Sequence, residues 1–430
     1  MTRRQIAQIT IEADTPLKVG SANSDFLQDS PIQRDWNGLP MILGTSIAGV
    51  LRKDFEGNDD DIFGKDDGSK VIFSNALLLD EHQKVNEGLL LEKSNFLRIF
   101  DNLPLREHTA ISDKGAVDPT KNAKFDEEVV YKGSRFKFSI EMLDNQTAFN
   151  ELIELLQSPS FRLGGGSTKG FGKFNILEIK TETIETIEAL KGYSSSLNNF
   201  NGSRVDLSTN NQSATHTKYT LKITPDDFFM FGSGFGDEET DQTPVYESVI
   251  DYKKKRLSDK QILLPASSLK GALAHRTVFH FNSINEFYIG NEKARNVITE
   301  LFGEAKNSKK EINGSKGKII FSDCFKLDQN ITKIFDHVAI DRFTGGALDG
   351  ALFQEKTIAQ NDIWKIEILV EDFKEDSNLS NEKNQEEREQ YQTALRAFEK
   401  ALDDVCSGLL PLGGATTKGH GVFSGDWSKS

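Results

Sequence analysis

The residue types best able to do chemistry sit in two glycine-rich stretches, LGGGSTKGFGKF at 163–174 and LGGATTKGHGVF at 412–423. Glycines let backbone amides approach a phosphate, and Thr168 or Thr417 can donate a hydroxyl while Lys169 or Lys418 supplies a charge. The triphosphate loop GxxxxGK[ST] does not fit, because Ser167 stands five residues before Gly172 and Phe174 follows Lys173. No dinucleotide fingerprint fits either, since no βαβ unit with a downstream acid follows. A glycine-rich turn before a final strand is the plainer alternative. Recurrence of Thr-Lys-Gly in both stretches, ending at Gly170 and Gly419, favours binding.

A second candidate is SSLKGALAHR at 267–276, which predicts a helix start capped by Ser267 or Ser268 with Lys270 in its first turn. Helix starts offer unpaired amides and partial positive charge to a phosphate. The earlier stretch ILGTSIAGVLR aligns Ser46 with Ser268, but Ala48 stands where Lys270 does, leaving Arg52 and Lys53 to compensate. His108 and His337 recur at matching places. With Arg106 they could touch RNA, or they could simply cap strands.

These motifs belong to an internal repeat. Six anchors occur twice in the same order: the strand and Gly-Ser loop from Ile9 and Leu221, the helix starts, IFG and LFG, VIFSN and IIFSD, HTAI and HVAI, and the glycine-rich ends. Duplication predicts a first module over 1–190, a polar linker over 191–216 and a second module over 217–430. Each copy alternates strand-like and helix-like runs, which predicts an α+β fold of ferredoxin-like type with helices on one face of the sheet.

Composition sets the limits. The chain has 430 residues and a formal charge of −14. No stretch approaches the roughly 20 apolar residues of a membrane span, and no signal-peptide pattern opens the sequence, so the expectation is a cytoplasmic protein. Cys324 and Cys406 lie in no zinc-binding spacing. Net charge argues against a nucleic-acid partner until its distribution is read. Residues 54–67 and 371–404 each carry −6, which leaves the remainder near balance. The first of these segments is expected to be a solvated loop, its DDD lacking calcium-loop spacing. The second is expected to be a helix with Tyr391, Leu395, Phe398 and Leu402 on its apolar face. Both should face away from any RNA.

Together the Gly-Ser loops, the helix start, the LFG and IFSD segment, IDRFTGGALDGALFQE and the terminal LGG-T-K-G-x-G resemble the CRISPR-associated RAMP superfamily. The closest resemblance is to the backbone subunit of type III effector complexes, here in two fused copies as in III-D-like systems. That resemblance implies two RRM-like modules, each with a β-hairpin thumb inserted. It also implies a crRNA and a target RNA as partners, alongside a large polymerase/nuclease-type subunit and further RAMP backbone subunits. The family's target-cleaving residue is a loop Asp, which places catalysis at Asp29 in FLQDSPIQRD and Asp241 in GDEETDQTPV, each holding a divalent metal such as Mg²⁺. RNA contacts are implied at Ser21, Arg34, Ser46, Arg52, Lys53, Thr168, Lys169, Gly170, Ser233, Ser268, Lys270, Arg276, Arg342, Phe343, Thr417, Lys418 and Gly419. The second thumb is expected over Ile340 to Glu355, and the first over 111–128. The implied activity is metal-dependent endoribonuclease cleavage of target RNA. The alternatives are a non-catalytic crRNA scaffold and a crRNA-processing endonuclease.

Overall fold

A computed structural model describes residues 3–21, 31–65, 67–109, 124–207, 215–304, 314–359, 361–375 and 379–430. The first module contains β1 (Arg4–Ala13), α1 (Gly44–Asp54), β2 (Val71–Phe73), β3 (Leu105–Thr109), β4 (Lys124–Glu128), β5 (Arg135–Leu143), α2 (Gln146–Leu156), β6 (Lys169–Gly170) and β7 (Phe174–Ile184). Its sheet runs β7-β1-β5-β2 with every pairing antiparallel. The second module contains β8 (His216–Pro225), α3 (Ala266–Ile284), α4 (Glu292–Phe302), β9 (Ile319–Ser322), β10 (Thr332–His337), β11 (Phe353–Ile358), β12 (Trp364–Glu371), α5 (Asn381–Cys406) and β13 (Phe423–Lys429). Its sheet runs β13-β8-β12-β9. Both are the order 4-1-3-2 of a ferredoxin-like βαββαβ unit. The hairpins β3-β4 and β10-β11 fill the excursion between the second and third core strands.

Local sequence explains the elements. In α2, Asn145 caps Ala148 N at 3.0 Å, and the stripe Ala148, Phe149, Leu152, Ile153 and Leu156 is buried. In α5, Tyr391, Phe398 and Leu402 are buried as their spacing predicts, and Leu395 packs partly buried beside them. The negative segment 54–67 is partly ordered as a short helix, Asp59–Phe63, rather than a loop. The polar segment 191–216 is anchored over its described part. Leu197 and Phe200 are buried, Gln8 donates to Ser196 O at 3.0 Å, and Ser203–Arg204 pairs with β7.

The glycine-rich ends close both modules in the same way. Leu163 N donates to Gly172 O, and Leu412 N to Gly421 O, at 3.0 and 2.8 Å. Gly172 and Gly421 have φ of 76° and 75°, and a Cβ at either would overlap the carbonyl of its Leu partner. Gly172→Ala is therefore expected to cost about 2–4 kcal/mol, combining left-handed strain with overlap. Gly49→Ala, in α1 with open space around it, should be neutral or stabilising by up to about 1 kcal/mol. Urea denaturation of the two variants checks both.

Candidate nucleic-acid interface

The helix starts are not capped as expected. Neither Ser267 nor Ser268 caps α3; Asp323 Oδ1, just past β9, accepts from Ala266 N at 2.8 Å. In the first module Asn75 Oδ1 does the same for Gly44 N at 2.9 Å. Each cap arrives from the last residue of the VIFSN or IIFSD segment, Asn75 or Asp323, so that pattern encodes it through space.

Asp323 also holds the two modules together. Its other oxygen accepts from Arg106 Nη1 at 2.5 Å, and Glu247 accepts from the same guanidinium, all three side chains being buried. The Phe171 ring lies 4.8 Å from the guanidinium carbon. Burial alone would lower the Arg106 pKa, but Asp323 and Glu247 outweigh it and raise it. Arg106 is therefore a junction residue rather than an RNA contact. β6 adds to the same seam as a parallel edge strand against Phe321 and Ser322 of β9. A Cβ on Gly170, at φ 112°, would overlap the Asp323 carboxylate and the Ala266 side chain. Gly170 thus serves close approach between modules, and only its neighbours remain to meet a ligand.

Those neighbours form a cation group. Lys270 Nζ donates to Thr168 Oγ1 at 2.8 Å. Burial first, then Lys169 and Lys316, push the Lys270 pKa down to about 8. Partial burial, then Lys53, also lower Lys316, against Asp54 and Glu371, which raise it. Among the described residues Lys169, Lys270 and Lys316 make no carboxylate ion pair. Cations held together against their own repulsion mark a place for an anion. Lys316 is not among the contacts expected from sequence, because its neighbourhood in the chain carries no motif.

Other expected contacts are committed elsewhere. Arg34 donates to Phe100 O, Gly38 O and Glu128; Arg52 pairs with Asp59 and Asp60, each at 2.7 Å; and Arg276 pairs with Asp404 while lying over Phe279. Ser233 bonds within its own loop to Phe235 O and Thr243, and Ser21 bonds to Pro31 O. Ser46 is half-buried and Ser268 exposed near the helix starts. Thr417, Lys418 and Gly419 are exposed in the second glycine-rich end, where nothing lies within 4 Å of a Cβ on Gly419.

A repeated constellation stands near the tip-side end of each hairpin's paired strands. His108 Nε2 lies 3.2 Å from Glu127 and stacks on Phe125, and His337 Nε2 lies 3.2 Å from Glu355 and stacks on Phe353. Lys169 and Lys418 lie over those same Phe rings. The second hairpin ends in a turn in which Asp341 Oδ1 accepts from Phe343 N and Thr344 N, leaving Phe343 100% exposed beside exposed Arg342. The first hairpin's tip, within 110–123, lies outside the described residues.

Asp29 also lies outside the described residues. The bridges Gly20–Ile32 and Gly232–Pro244 give the two loops equal length, so counting back three positions from each far end reaches position 29 and Asp241. Asp241 is exposed; its Oδ2 accepts from Gln354 N at 2.8 Å near the tip-side end of the β10-β11 pairing. Asp237 and Glu239 are instead tied to Lys356, and that bond, outweighing slight burial, lowers the Asp237 pKa. Among the described residues no three His, Cys, Asp or Glu side chains converge to hold a metal. No described helix is long and apolar enough to cross a membrane.

A family model described as the RAMP superfamily matches residues 10–175 and 247–424, one region in each module. Comparison with curated proteins returns no match.

Arg106→Ala strands two buried carboxylates and should cost about 3–5 kcal/mol in chemical denaturation. Combining Arg106→Met with Glu247→Gln and Asp323→Asn should recover part of that loss, since the side-chain amide oxygen introduced by Asp323→Asn can still cap α3.

Proposed function

The chain belongs to the RAMP superfamily, a CRISPR-associated family, and we propose that it is a crRNA-binding backbone subunit of a type III, III-D-like effector that positions the guide–target duplex and cleaves target RNA. The observation that carries the RNA-binding reading is the group Lys169, Lys270 and Lys316, gathered at the module junction with no direct carboxylate ion pair among the described residues, although Asp54 and Glu371 act on Lys316 from farther off. Phosphates along a guide strand would meet these cations and Thr168, while the exposed Lys418 and Thr417 offer a second step one module away. The Phe343 tip is an apolar wedge of the kind that separates stacked bases.

Cleavage is assigned to Asp241 and Asp29. The loop's bond to Gln354 N holds the Asp241 carboxylate against the tip-side end of the hairpin's paired strands, on the side where a wedge would flip a nucleotide. Its other oxygen accepts no hydrogen bond among the described residues, and one carboxylate with RNA oxygens is an ordinary Mg²⁺ environment. Bound there, Mg²⁺ would polarise the scissile phosphate. With the flipped nucleotide fixed, the 2′-OH attacks the adjacent phosphorus and the P–O5′ bond breaks. The products are a 2′,3′-cyclic phosphate and a 5′-OH, which takes up a proton as the 2′-OH loses one. The processing-endonuclease alternative would need an acid–base histidine in the first Gly-Ser loop, which has none.

Three measurements test the reading. In the reconstituted effector with guide, matched RNA and Mg²⁺, Asp241→Ala and Asp29→Ala should each remove one set of products. Unchanged products for either would make that site inert and favour the non-catalytic scaffold. For RNA binding, Lys270→Met should reduce the slope of log affinity against log salt by about 1. Because burial holds the folded Lys270 down to about 8, below its ordinary 10.5, the protein gains stability as pH rises between these values, and a phosphate that needs the charged amine draws a proton onto Lys270 as it binds. Calorimetry near pH 9 should therefore show proton uptake with RNA that Lys270→Met abolishes.

A further inference from the structure

The loop that carries Asp241 is held against the second hairpin in two different ways. Its later part is stapled through the backbone: Asp241 N and Gln242 N both donate to Gln354 O at 3.1 Å, and Lys356 N donates to Gln242 O at 2.9 Å. The turn just before Asp241 closes on itself instead. Asp237 N donates to Thr240 O at 2.8 Å, while Asp237 Oδ1 accepts from Glu239 N, Thr240 N and Thr240 Oγ1 at 3.0, 2.8 and 3.0 Å. A Cβ on Gly236 would overlap the Thr240 carbonyl, so the turn is tight. Such a turn moves as one piece, and whatever holds Asp237 also holds the chain entering Asp241.

Lys356 of β11 joins this turn to the hairpin. Its Nζ donates to Asp237 Oδ2 at 2.6 Å and to Glu239 Oε2 at 3.1 Å. Asp237 raises the Lys356 pKa against slight burial, and Lys356 lowers that of Asp237, so the pair keeps both charges through the neutral range.

The first module does the opposite at the same place. Phe125 faces His108 as Phe353 faces His337, so Glu128 and Lys356, three residues on, correspond. Glu128 accepts from Ile32 N at 2.8 Å and from Arg34 Nη2 at 2.9 Å. Ile32 and Pro244 close equivalent bridges, and a proline has no N–H to give a carboxylate. Tyr246 likewise stands where Arg34 does. Carboxylate, amide and guanidinium have therefore all been replaced in the second copy, and a lysine reaching back to two acids anchors its loop.

We propose that Lys356 is the positioning residue of the second cleavage site: it ties the turn before Asp241 to the hairpin, through an ion pair that Glu128 at the corresponding position cannot make. The inference rests on the assignment of cleavage to Asp241 and names what keeps that carboxylate in place. A displacement of about 1 Å at a reacting group costs roughly a hundredfold in rate, so loss of the anchor should register in the chemical step.

The test uses the reconstituted effector with guide, matched RNA and Mg²⁺, in single turnover over a range of target concentrations, with the two product sets scored separately. Lys356→Met should lower the maximal rate of the Asp241-dependent set by about 10- to 100-fold. The other set should keep its wild-type rate, and half-saturation by target should not move, since pairing with the guide holds the target. Lys356→Arg should recover most of the rate. Hydrogen exchange over 237–243 should quicken in Lys356→Met and slow again in Lys356→Arg. With Asp241→Ala still removing its product set, an unchanged rate in Lys356→Met, or equal slowing of both sets, would overturn the proposal. Recovery of the Lys356→Met rate on adding Asp237→Asn and Glu239→Gln would overturn it too, because the amine would then act only by cancelling charge near the phosphate. Products unchanged in Asp241→Ala would instead sink the cleavage assignment, and the positioning role with it.

Discussion

One carboxylate organises the molecule. Asp323 uses one oxygen to close the start of α3 and the other to hold Arg106 across the module boundary. A buried carboxylate is tolerable only when both oxygens are satisfied by charge or amides, and here both are. The arrangement forces the rest of the seam. Gly170 must lack a Cβ to pass beside it, β6 must join the neighbouring sheet, and Phe171 must lie on the guanidinium. The amides at the helix start, where local sequence would put a phosphate, are therefore already occupied. Anion-binding capacity moves one turn on, to Lys270 and the lysines around it.

Duplication supplied two equal frames, and small exchanges gave them different duties. The histidine–glutamate pair, the stacked Phe and the Lys above it are kept in both copies, as are the strained glycines that close the final turn. What changed is the outward face. Arg106 and Phe171 seal a junction in one copy, while Phe335 and the buried His420 pack on each other and on Phe228 in the other. The glycine-rich end follows its surroundings: against β9 it is a strand, and without such a neighbour Thr416–Lys418 is a short helical turn.

The negative charge has a structural distribution. Asp59 and Asp60 neutralise Arg52, and Asp404 neutralises Arg276 with His280 at its side. Three of the arginines that sequence offers to RNA are thereby engaged within the fold, Arg34 being tied to Glu128. The acidic segments do not simply face solvent; they also engage cations that would otherwise stand free on the surface.

Local pattern sufficed wherever neighbours in the chain decide conformation. The spacing of Tyr391, Phe398 and Leu402 revealed the face of α5, repeated anchors revealed two ferredoxin-like units, and the paired glycine ends revealed a common turn. Partners far apart in the chain were not legible in this way. Ser267 and Ser268 looked like caps because capping is usually local, yet the cap comes from a residue more than fifty positions away. Arg106 looked like a ligand contact because nothing in its neighbourhood announces Glu247 and Asp323. Sequence by itself determined the duplicated α+β architecture, since hydrophobic period and glycine placement act through adjacent residues. Only the tertiary structure decided which cations are free and which are consumed, because desolvation and ion pairing depend on what folding brings alongside a charge.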